Sequence, residues 1–119
     1  PEDNLFHMDG KSVYLLAIQH SPLILADLRP GLLMGDLAGI QTVIPHQASG
    51  LALEAFTKRL GWPKEQIART VDELGNTIGA SIPATLYKAI KTKMFGRGDE
   101  ILIFGTGAGL SIGGAILTY

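Results

Sequence analysis

The sequence predicts a single α/β domain that closes on a C-terminal β-hairpin. Apolar residues at helical spacing alternate along the chain with short β-prone runs, a pattern typical of α/β proteins. The last β-prone run, 111–119, follows a glycine-dense turn, as the second strand of a hairpin does. With 119 residues, 46% of them hydrophobic, the chain is long enough for one well-filled core and too short for two.

The first part of the chain predicts a short strand and then a long helix. Residues 5–8 are β-prone and end at Asp9-Gly10, a pair that favours a turn. Apolar residues over 13–28 follow helical spacing on a wide face, as in a helix that is buried on most sides. Because Pro22 lacks the N–H that an interior helical residue donates, we expect a kink or a break just before it.

The middle of the chain predicts a strand that leads into a second helix. Residues 29–39 form a glycine-rich connection with one short helical turn, and 41–44 is a β-prone run. The periodic segment 51–60 predicts a helix, for which Ser49 is the expected N-cap and Gly61 the expected end.

The last part predicts a helix and two strands. Residues 63–68 favour one helical turn, and an irregular stretch follows up to residue 75. A helix is expected over 78–92, where Pro83 is tolerated in the first turn because no N–H is needed there. Residues 100–104 predict a buried strand, and 105–109 a glycine-dense loop before the final strand.

Composition excludes several classes of function. Eleven acidic and ten basic residues give a net charge of −1, which offers no basic field for nucleic acid. The chain has no cysteine, which excludes disulfides and thiolate metal sites, and its three histidines show no metal-binding spacing. Polar residues and Pro22 interrupt the most apolar window, 13–28, so no membrane span is expected.

Two short motifs contain the candidate catalytic residues. His46 follows the predicted strand 41–44 at a strand-to-helix junction, and Asn76 lies between Gly75 and Thr77. A neutral imidazole and a carboxamide held together form a pair of N–H donors for a developing oxyanion. Taken singly, each has a structural alternative, since the histidine suits a backbone hydrogen bond and the asparagine a turn.

The glycine-dense segment 104–113 resembles a nucleotide-binding loop only superficially. Neither glycine register gives GxGxxG, and too few residues follow for the helix, strand and acidic ribose ligand of a dinucleotide site. The remaining alternatives are a hairpin turn that needs positive φ and a turn whose N–H groups approach a ligand oxygen. Ser49 and Ser111 lack recognisable His and acid partners, so a serine hydrolase is not supported.

Other polar and aromatic residues have simple structural interpretations. Trp62 is expected to be a core or rim anchor rather than a ligand platform. Lys58, Arg59 and Lys64 predict a solvated surface around a helix end, with an anionic carrier or nucleotide as the functional alternative.

Taken together, the motifs resemble one enzyme family. Ile-Pro-His-Gln-Ala over 44–48, Gly-Asn-Thr over 75–77 and Gly-Thr-Gly-Ala-Gly-Leu-Ser-Ile-Gly-Gly-Ala over 105–115 resemble the C-terminal half of β-ketoacyl-acyl carrier protein synthase III. The resemblance extends over 6–119 and implies a thiolase-like half-domain spanning 1–119, with a mixed sheet, packed helices and the C-terminal hairpin. It also implies a cytoplasmic protein, a homodimer and an N-terminal half that bears the nucleophilic cysteine.

The resemblance assigns roles to residues. It implies that His46 and Asn76 stabilise the oxyanion when an acyl-cysteine is attacked by a decarboxylating malonyl thioester, and that the Ala108 N–H serves a second oxyanion hole. It implies no cofactor, with acyl-CoA and a malonyl thioester as substrates. Substrate contacts are expected at Gln47, Ser49, Gly107 and Gly109. Without the cysteine-bearing half, we expect the chain to be inactive.

Two residues depart from the pattern of the resembled family. Ser49 and Leu51 stand where that family often has Asn and Arg, positions associated with the pantetheine arm and carrier-protein docking. These departures argue against a carrier protein and favour a CoA thioester or a specialised pathway. The alternatives are a non-catalytic thiolase-like domain for dimerisation or thioester binding and, more distantly, a chalcone-synthase-like polyketide synthase.

Overall fold

The computed structural model describes residues 7–37, 39–107 and 109–119. Its helices and strands, in chain order, are α1 (Gly10–Leu28), β1 (Ile40–Pro45), α2 (Gly50–Leu60), α3 (Val71–Leu74), α4 (Ser81–Lys91), β2 (Glu100–Gly107) and β3 (Ser111–Thr118). Short 3₁₀ helices occupy Pro30–Met34, Lys64–Gln66 and Ile78–Ala80.

The strands form a mixed sheet in the order β1-β2-β3. β1 and β2 are parallel, with Pro45 opposite Phe104, so both strands point their carboxyl ends in the same direction. β2 and β3 are antiparallel and form the hairpin, with Gly107 opposite Ser111. The predicted α/β class and the closing hairpin are therefore confirmed.

Helices cover both faces of the sheet. On one face, side chains of β1 and β2 pack in a buried cluster with Leu25 of α1 and with Leu53 and Leu60 of α2. On the other face, Ile44 and Ile101 pack with Ala89 of α4. Because successive strand residues point to opposite faces, one short strand contributes to both clusters. The domain is a helix–sheet–helix sandwich.

A second chain segment lies beside the free edge of β1. Val43 forms an isolated parallel bridge with Ile67, and the Ala68 N–H donates to the Val43 carbonyl oxygen at 2.9 Å. β1 therefore has backbone partners on both sides, and residues 42–45 are all buried, as is typical of a parallel strand in a covered sheet. The segment beside this edge leads directly to the residues before Asn76.

α2 begins one residue before the predicted range 51–60 and has the caps that its sequence predicts. The Ser49 side chain accepts a hydrogen bond from the Ala52 N–H at 3.1 Å, which satisfies one of the free donors of the first turn. Gly61 ends the helix in the left-handed conformation, with φ 69°.

The N-terminal predictions need correction. Gly10–Leu28 is one continuous helix, so the expected break before Pro22 is wrong. Ser21 and Leu25 on either side of the proline are fully buried, and this packing offsets the one backbone hydrogen bond that proline removes. Asp9 does not form a turn but caps α1, since its carboxylate accepts from the Ser12 N–H.

The remaining differences concern element boundaries. Of the expected strand 5–8, residues 5 and 6 lie outside the described part of the chain, and residues 7 and 8 are not in a strand. The predicted helix 78–92 is divided into a 3₁₀ turn and α4, with Pro83 in the first turn of α4 as expected. β2 continues to Gly107, into the predicted loop, because it pairs with β3 along its full length.

Among the described residues, no helix combines the length and apolar character needed to cross a bilayer.

Candidate functional site

His46 lies at the carboxyl end of β1. Its N–H donates to the Phe104 carbonyl oxygen at 2.8 Å, which extends the pairing with β2 by one residue beyond Pro45. Gly105 follows on β2, and a Cβ built on it would lie 3.2 Å from His46 Cβ. The absence of a side chain at Gly105 therefore makes room for the histidine beside the strand that leads into the hairpin.

The half-buried environment of His46 favours the uncharged imidazole. Desolvation lowers the pKa of His46 below its ordinary value of 6.5, because burial penalises the protonated ring. Neither ring nitrogen has a hydrogen-bond partner among the described residues. At neutral pH the ring therefore offers one N–H donor and one acceptor that no described residue uses.

Asn76 lies in the loop between α3 and the 3₁₀ turn Ile78–Ala80, and its side chain is exposed. The Oδ1 atom accepts from the Ile78 N–H at 2.9 Å, the hydrogen bond of an Asx turn. The Nδ2 group has no hydrogen-bond partner in the described part of the chain. The turn and the donor role are thus compatible, because the turn uses the oxygen and leaves the N–H groups for a ligand.

Gly75 sets the direction from which the chain enters this loop. Its φ of 66° and ψ of −161° fall in a region that is essentially restricted to glycine. No heavy atom lies within 4 Å of a Cβ built at this position. Backbone conformation, rather than lack of space, is therefore what requires glycine before Asn76.

Gln47 is a buried structural residue. Its Nε2 donates to the carbonyl oxygens of Pro45 and Ala68, at 2.9 and 3.2 Å. Its Oε1 accepts from the N–H groups of Thr70 and Val71, at 2.9 and 3.1 Å. With 1% of the residue exposed, the carboxamide has no hydrogen-bonding capacity left. This geometry argues against the substrate contact expected for the Gln47 side chain.

The hydrogen bonds of Gln47 connect the chain segments that carry the two candidate catalytic residues. Its backbone N–H donates to Ser81 Oγ at 2.6 Å, so the residue after His46 is tied to the start of α4. Its side chain is tied to Thr70 and Val71, before Asn76 in the chain. Gln47 therefore contacts the chain on both sides of the Asn76 loop.

The hairpin tip lies beyond the same sheet end as His46. Gly107 is the exposed last residue of β2, and Gly109 has a φ of 106°, in the left-handed region that favours glycine. Ala108, whose N–H the resemblance assigns to an oxyanion hole, lies outside the described residues. The predicted substrate contacts of Gly107 and Gly109 stay predictions.

Ser49 combines a structural contact with exposure. Its hydroxyl oxygen accepts from the Ala52 N–H as the N-cap of α2, while its own proton is available for a ligand. Its predicted substrate contact stays a prediction that the cap does not preclude.

Several other expectations can be compared with the structure. Trp62 is a core residue with 4% exposure, and its indole N–H donates to the Leu32 carbonyl oxygen, which confirms the structural interpretation. Lys58, Arg59 and Lys64 are exposed, as expected for a solvated surface. No cluster of three His, Asp or Glu side chains suited to a metal occurs within residues 7–37, 39–107 and 109–119.

Sequence reasoning missed the buried hydroxyl groups behind the site. Thr70, Ser81 and Thr85 are each at most 3% exposed and hydrogen-bonded to one another or to Gln47. The available signal was the spacing of Ser81 and Thr85, which places two hydroxyl side chains one turn apart on the buried face of α4. Nothing local in the sequence marks Thr70.

Comparisons with known proteins agree on one family. Residues 35–119 match the family described as 3-oxoacyl-[acyl-carrier-protein (ACP)] synthase III C terminal. A β-ketoacyl-[acyl-carrier-protein] synthase III from Coxiella burnetii (strain RSA 331 / Henzerling II) is 41% identical over 113 residues, covering 93% of this chain and 34% of the relative. The chain therefore spans about a third of the length of the curated relatives it matches.

Solved structures give the same result. The 3-oxoacyl-(acyl carrier protein) synthase III of Pseudomonas aeruginosa PAO1 aligns with a TM-score of 0.82 and 30% identity, over 100% of this chain and 37% of that one. The enzyme of the same description from Aquifex aeolicus VF5 aligns with a TM-score of 0.83 and 32% identity, over 95% and 36%. These alignments confirm the expected thiolase-like architecture.

Proposed function

The chain belongs to the 3-oxoacyl-[acyl-carrier-protein] synthase III family, whose C-terminal part it matches, and from this we propose that it supplies the oxyanion-stabilising half of an acyltransferase. The reaction is a decarboxylative Claisen condensation in fatty-acid or related biosynthesis. An acyl group transferred from acyl-CoA to a cysteine of the N-terminal half is attacked by the carbanion that a malonyl thioester forms on losing CO₂.

His46 and Asn76 are the proposed catalytic residues. When the malonyl carboxylate leaves as CO₂, the electron pair of the broken bond delocalises onto the thioester carbonyl oxygen. The imidazole N–H and the carboxamide N–H donate to this enolate oxygen. The enolate then forms the new carbon–carbon bond to the acyl carbonyl carbon, and the cysteine sulfur leaves as thiolate. Loss of one such fixed donor costs about 10² to 10³ in rate.

The state of the two side chains supports this role. Burial lowers the pKa of His46, which keeps a neutral donor at the pH of the reaction. The Asn76 carboxamide is oriented by its bond to the Ile78 N–H, so its Nδ2 is the atom presented outward. The single observation that carries the proposal is that two uncharged side chains, whose N–H groups have no partner among the described residues, lie on segments that Gln47 joins.

The thioester carrier is proposed from the surface beside the site. Leu51 is 83% exposed in the first turn of α2, two residues after the Ser49 cap, and it adds no positive charge for an acidic carrier protein. We therefore assign a CoA thioester as the preferred substrate, with the Ser49 hydroxyl donating to the pantetheine arm. The Ala108 N–H is proposed to serve the oxyanion hole at the acyl-cysteine, and Gly107 and Gly109 are proposed to contact the substrate.

The wider assembly is also a proposal. The cysteine-bearing half and a second copy of the polypeptide complete a cytoplasmic homodimer, and no resident cofactor takes part. Large apolar side chains with more than half of their surface exposed provide area for such packing, among them Leu23, Ile78 and Tyr87.

The test separates malonyl decarboxylation from cysteine acylation in the natural full-length polypeptide that contains this chain. We expect His46→Ala and Asn76→Ala each to slow decarboxylation by about 10² to 10³, with a smaller effect on transfer of the acyl group to cysteine. Equal condensation rates in the parent and both variants would contradict the assigned roles.

The same assay decides between the enzyme and the alternative, a non-catalytic domain for dimerisation or thioester binding. The exposed apolar residues favour that alternative as a packing surface. It predicts no condensation in the parent polypeptide and unchanged thioester binding in both variants. A full-length sequence without a cysteine in the preceding half would exclude the self-acylating mechanism.

A further inference from the structure

A closed ring of hydrogen bonds lies behind the loop that carries Asn76. Starting from Gln47, the backbone N–H donates to Ser81 Oγ at 2.6 Å. The Ser81 carbonyl oxygen accepts from the Thr85 hydroxyl at 2.8 Å. The Thr85 and Thr70 hydroxyl oxygens are 2.7 Å apart, and the Thr70 N–H donates to Gln47 Oε1 at 2.9 Å. The ring therefore returns to the residue from which it starts.

The ring is formed by Gln47, Thr70, Ser81 and Thr85. The number of protons that each group carries determines which group donates in each bond of the ring. The Thr85 hydroxyl has one proton, which it donates to the Ser81 carbonyl oxygen. Thr70 must therefore donate its hydroxyl proton to Thr85 Oγ1. Every ring bond has a defined donor, and no described buried side-chain nitrogen or oxygen lacks a partner.

The ring is buried and crosses three elements. Its residues are between 0% and 3% exposed, so water does not compete for these bonds. Gln47 follows β1, Thr70 precedes α3, and Ser81 and Thr85 belong to α4. The ring thus joins the strand end that carries His46 to both ends of the segment that carries Asn76.

We propose that these four residues are positioning residues that fix Asn76 relative to His46. The bond from the Ile78 N–H orients the Asn76 carboxamide within its loop. The loop itself is exposed and enters through a glycine conformation, so this local contact does not determine where the loop lies relative to His46. The ring holds residue 70 and residue 81 to the same glutamine, which restricts the span between them. The inference rests on the proposed function, because it assumes that both side chains act on one oxyanion.

Thr85→Val tests the ring without touching a reacting group, because it replaces a hydroxyl with a methyl group of similar size. Thr57→Val is the matched control, since Thr57 is also buried in a helix and also donates to the carbonyl oxygen four residues earlier, that of Leu53. We measure kcat and KM for malonyl-CoA decarboxylation in the natural full-length polypeptide. Displacement of a reacting group by about 1 Å can cost about 10² in rate, so we expect Thr85→Val to lower kcat by roughly tenfold to 10²-fold with KM little changed.

Two further readouts distinguish positioning from general stability. Thr85→Ser keeps the hydroxyl and should restore kcat. Hydrogen exchange of the Ile78 amide, which is bonded to Asn76 Oδ1, should speed up in Thr85→Val and stay at the parental rate in Thr57→Val. If Thr85→Val does not fold, Thr70→Val breaks the same ring from the other side and takes its place in each comparison.

The outcomes separate this inference from the proposed function. If His46→Ala and Asn76→Ala slow decarboxylation while Thr85→Val and Thr57→Val both keep the parental kcat and Ile78 exchange rate, the ring does not position the site. Parental rates in His46→Ala and Asn76→Ala overturn the proposed function instead, whatever the ring variants do. A fall in kcat common to Thr85→Val and Thr57→Val also overturns the inference, since it would reflect stability alone.

Discussion

The N–H of His46 donates to the carbonyl oxygen of Phe104 at 2.8 Å, so the histidine backbone is held by the strand that leads into the hairpin. This bond is the last of the parallel ladder between β1 and β2. It places His46 on a rigid sheet end, while Asn76 lies on an exposed loop. The two candidate donors thus differ in how firmly the fold holds them, which explains why the Asn76 loop needs support from buried residues.

The first prediction concerns pH and follows from the burial of His46. Because the pKa of His46 in the folded state lies below 6.5, the unfolded chain binds a proton at a higher pH than the folded chain does. The free energy of unfolding should therefore fall as the pH drops below about 6.5 and stop falling, for this group, below the native pKa. Chemical denaturation at several pH values measures this dependence.

The control for this prediction is His46→Gln, in which the part of the pH dependence due to His46 disappears. An NMR titration of the His46 ring in the folded chain, compared with the same ring in urea, gives the direction of the shift independently. A folded-state pKa above that of the unfolded chain would contradict the role of burial.

The second prediction concerns the space that Gly105 leaves for the site. A Cβ on this residue would lie 2.9 Å from Ile82 Cδ1 and 3.2 Å from His46 Cβ. The isoleucine methyl can move, whereas His46 Cβ is held by the backbone. We expect Gly105→Ala to lower the free energy of unfolding by about 1–3 kcal/mol, as overpacking does. Urea denaturation measures the loss.

Two variants test the cause of that loss. Gly113 lies opposite Gly105 in the hairpin, and no heavy atom is within 4 Å of a Cβ built on it, so Gly113→Ala should cost much less. Adding Ile82→Val to Gly105→Ala removes the closer contact and should recover part of the stability. Equal losses in the two alanine variants would point to strand propensity rather than crowding.

The elements that sequence reasoning predicted correctly are those with local signals. α2 has a periodic apolar face, a serine that caps its start and a glycine that ends it. All three signals lie in the helix itself or next to it in the sequence. His46 could be placed at a strand end for the same reason, because a β-prone run stops at the proline before it.

The features that were predicted wrongly or missed depend on contacts distant in sequence. α1 continues through Pro22 because Leu25 and Ser21 are buried against other elements, which no local rule reports. The role of Gln47 depends on Ala68 and Thr70, more than 20 residues away, so its neighbours in sequence give no sign that its carboxamide is fully used. The hydroxyl groups of Thr70 and Thr85 meet for the same reason.

The third prediction concerns Gly75, which determines how the chain enters the Asn76 loop. With φ 66° and ψ −161°, the backbone adopts a conformation that a residue with a Cβ reaches only with strain. We expect Gly75→Ala to lower the free energy of unfolding by about 1–3 kcal/mol, although the added methyl group has open space around it. Thermal and urea denaturation give the value.

Gly79→Ala is the control, because Gly79 lies nearby in a 3₁₀ turn, has open space around a built Cβ and shows no positive φ. That variant should be neutral or slightly stabilising, since alanine reduces the freedom of the unfolded chain. Similar stability of the two variants would mean that the loop adapts its backbone and that Gly75 does not set the position of Asn76.

The last prediction separates the two roles of Ser49. As the N-cap of α2, its hydroxyl oxygen accepts from the Ala52 N–H, so Ser49→Ala should cost about 1 kcal/mol of stability. Ser49→Asn keeps a capping oxygen and should retain the parental stability.

If the Ser49 hydroxyl also donates to a CoA thioester, Ser49→Ala weakens CoA binding beyond what its stability loss explains. Isothermal titration of the folded variants with CoA would detect this difference. Because Asn also supplies N–H donors, Ser49→Asn should bind CoA at least as tightly as Ser49→Ala. CoA binding by Ser49→Ala that falls no further than its stability loss explains would mean that the residue acts on α2 alone.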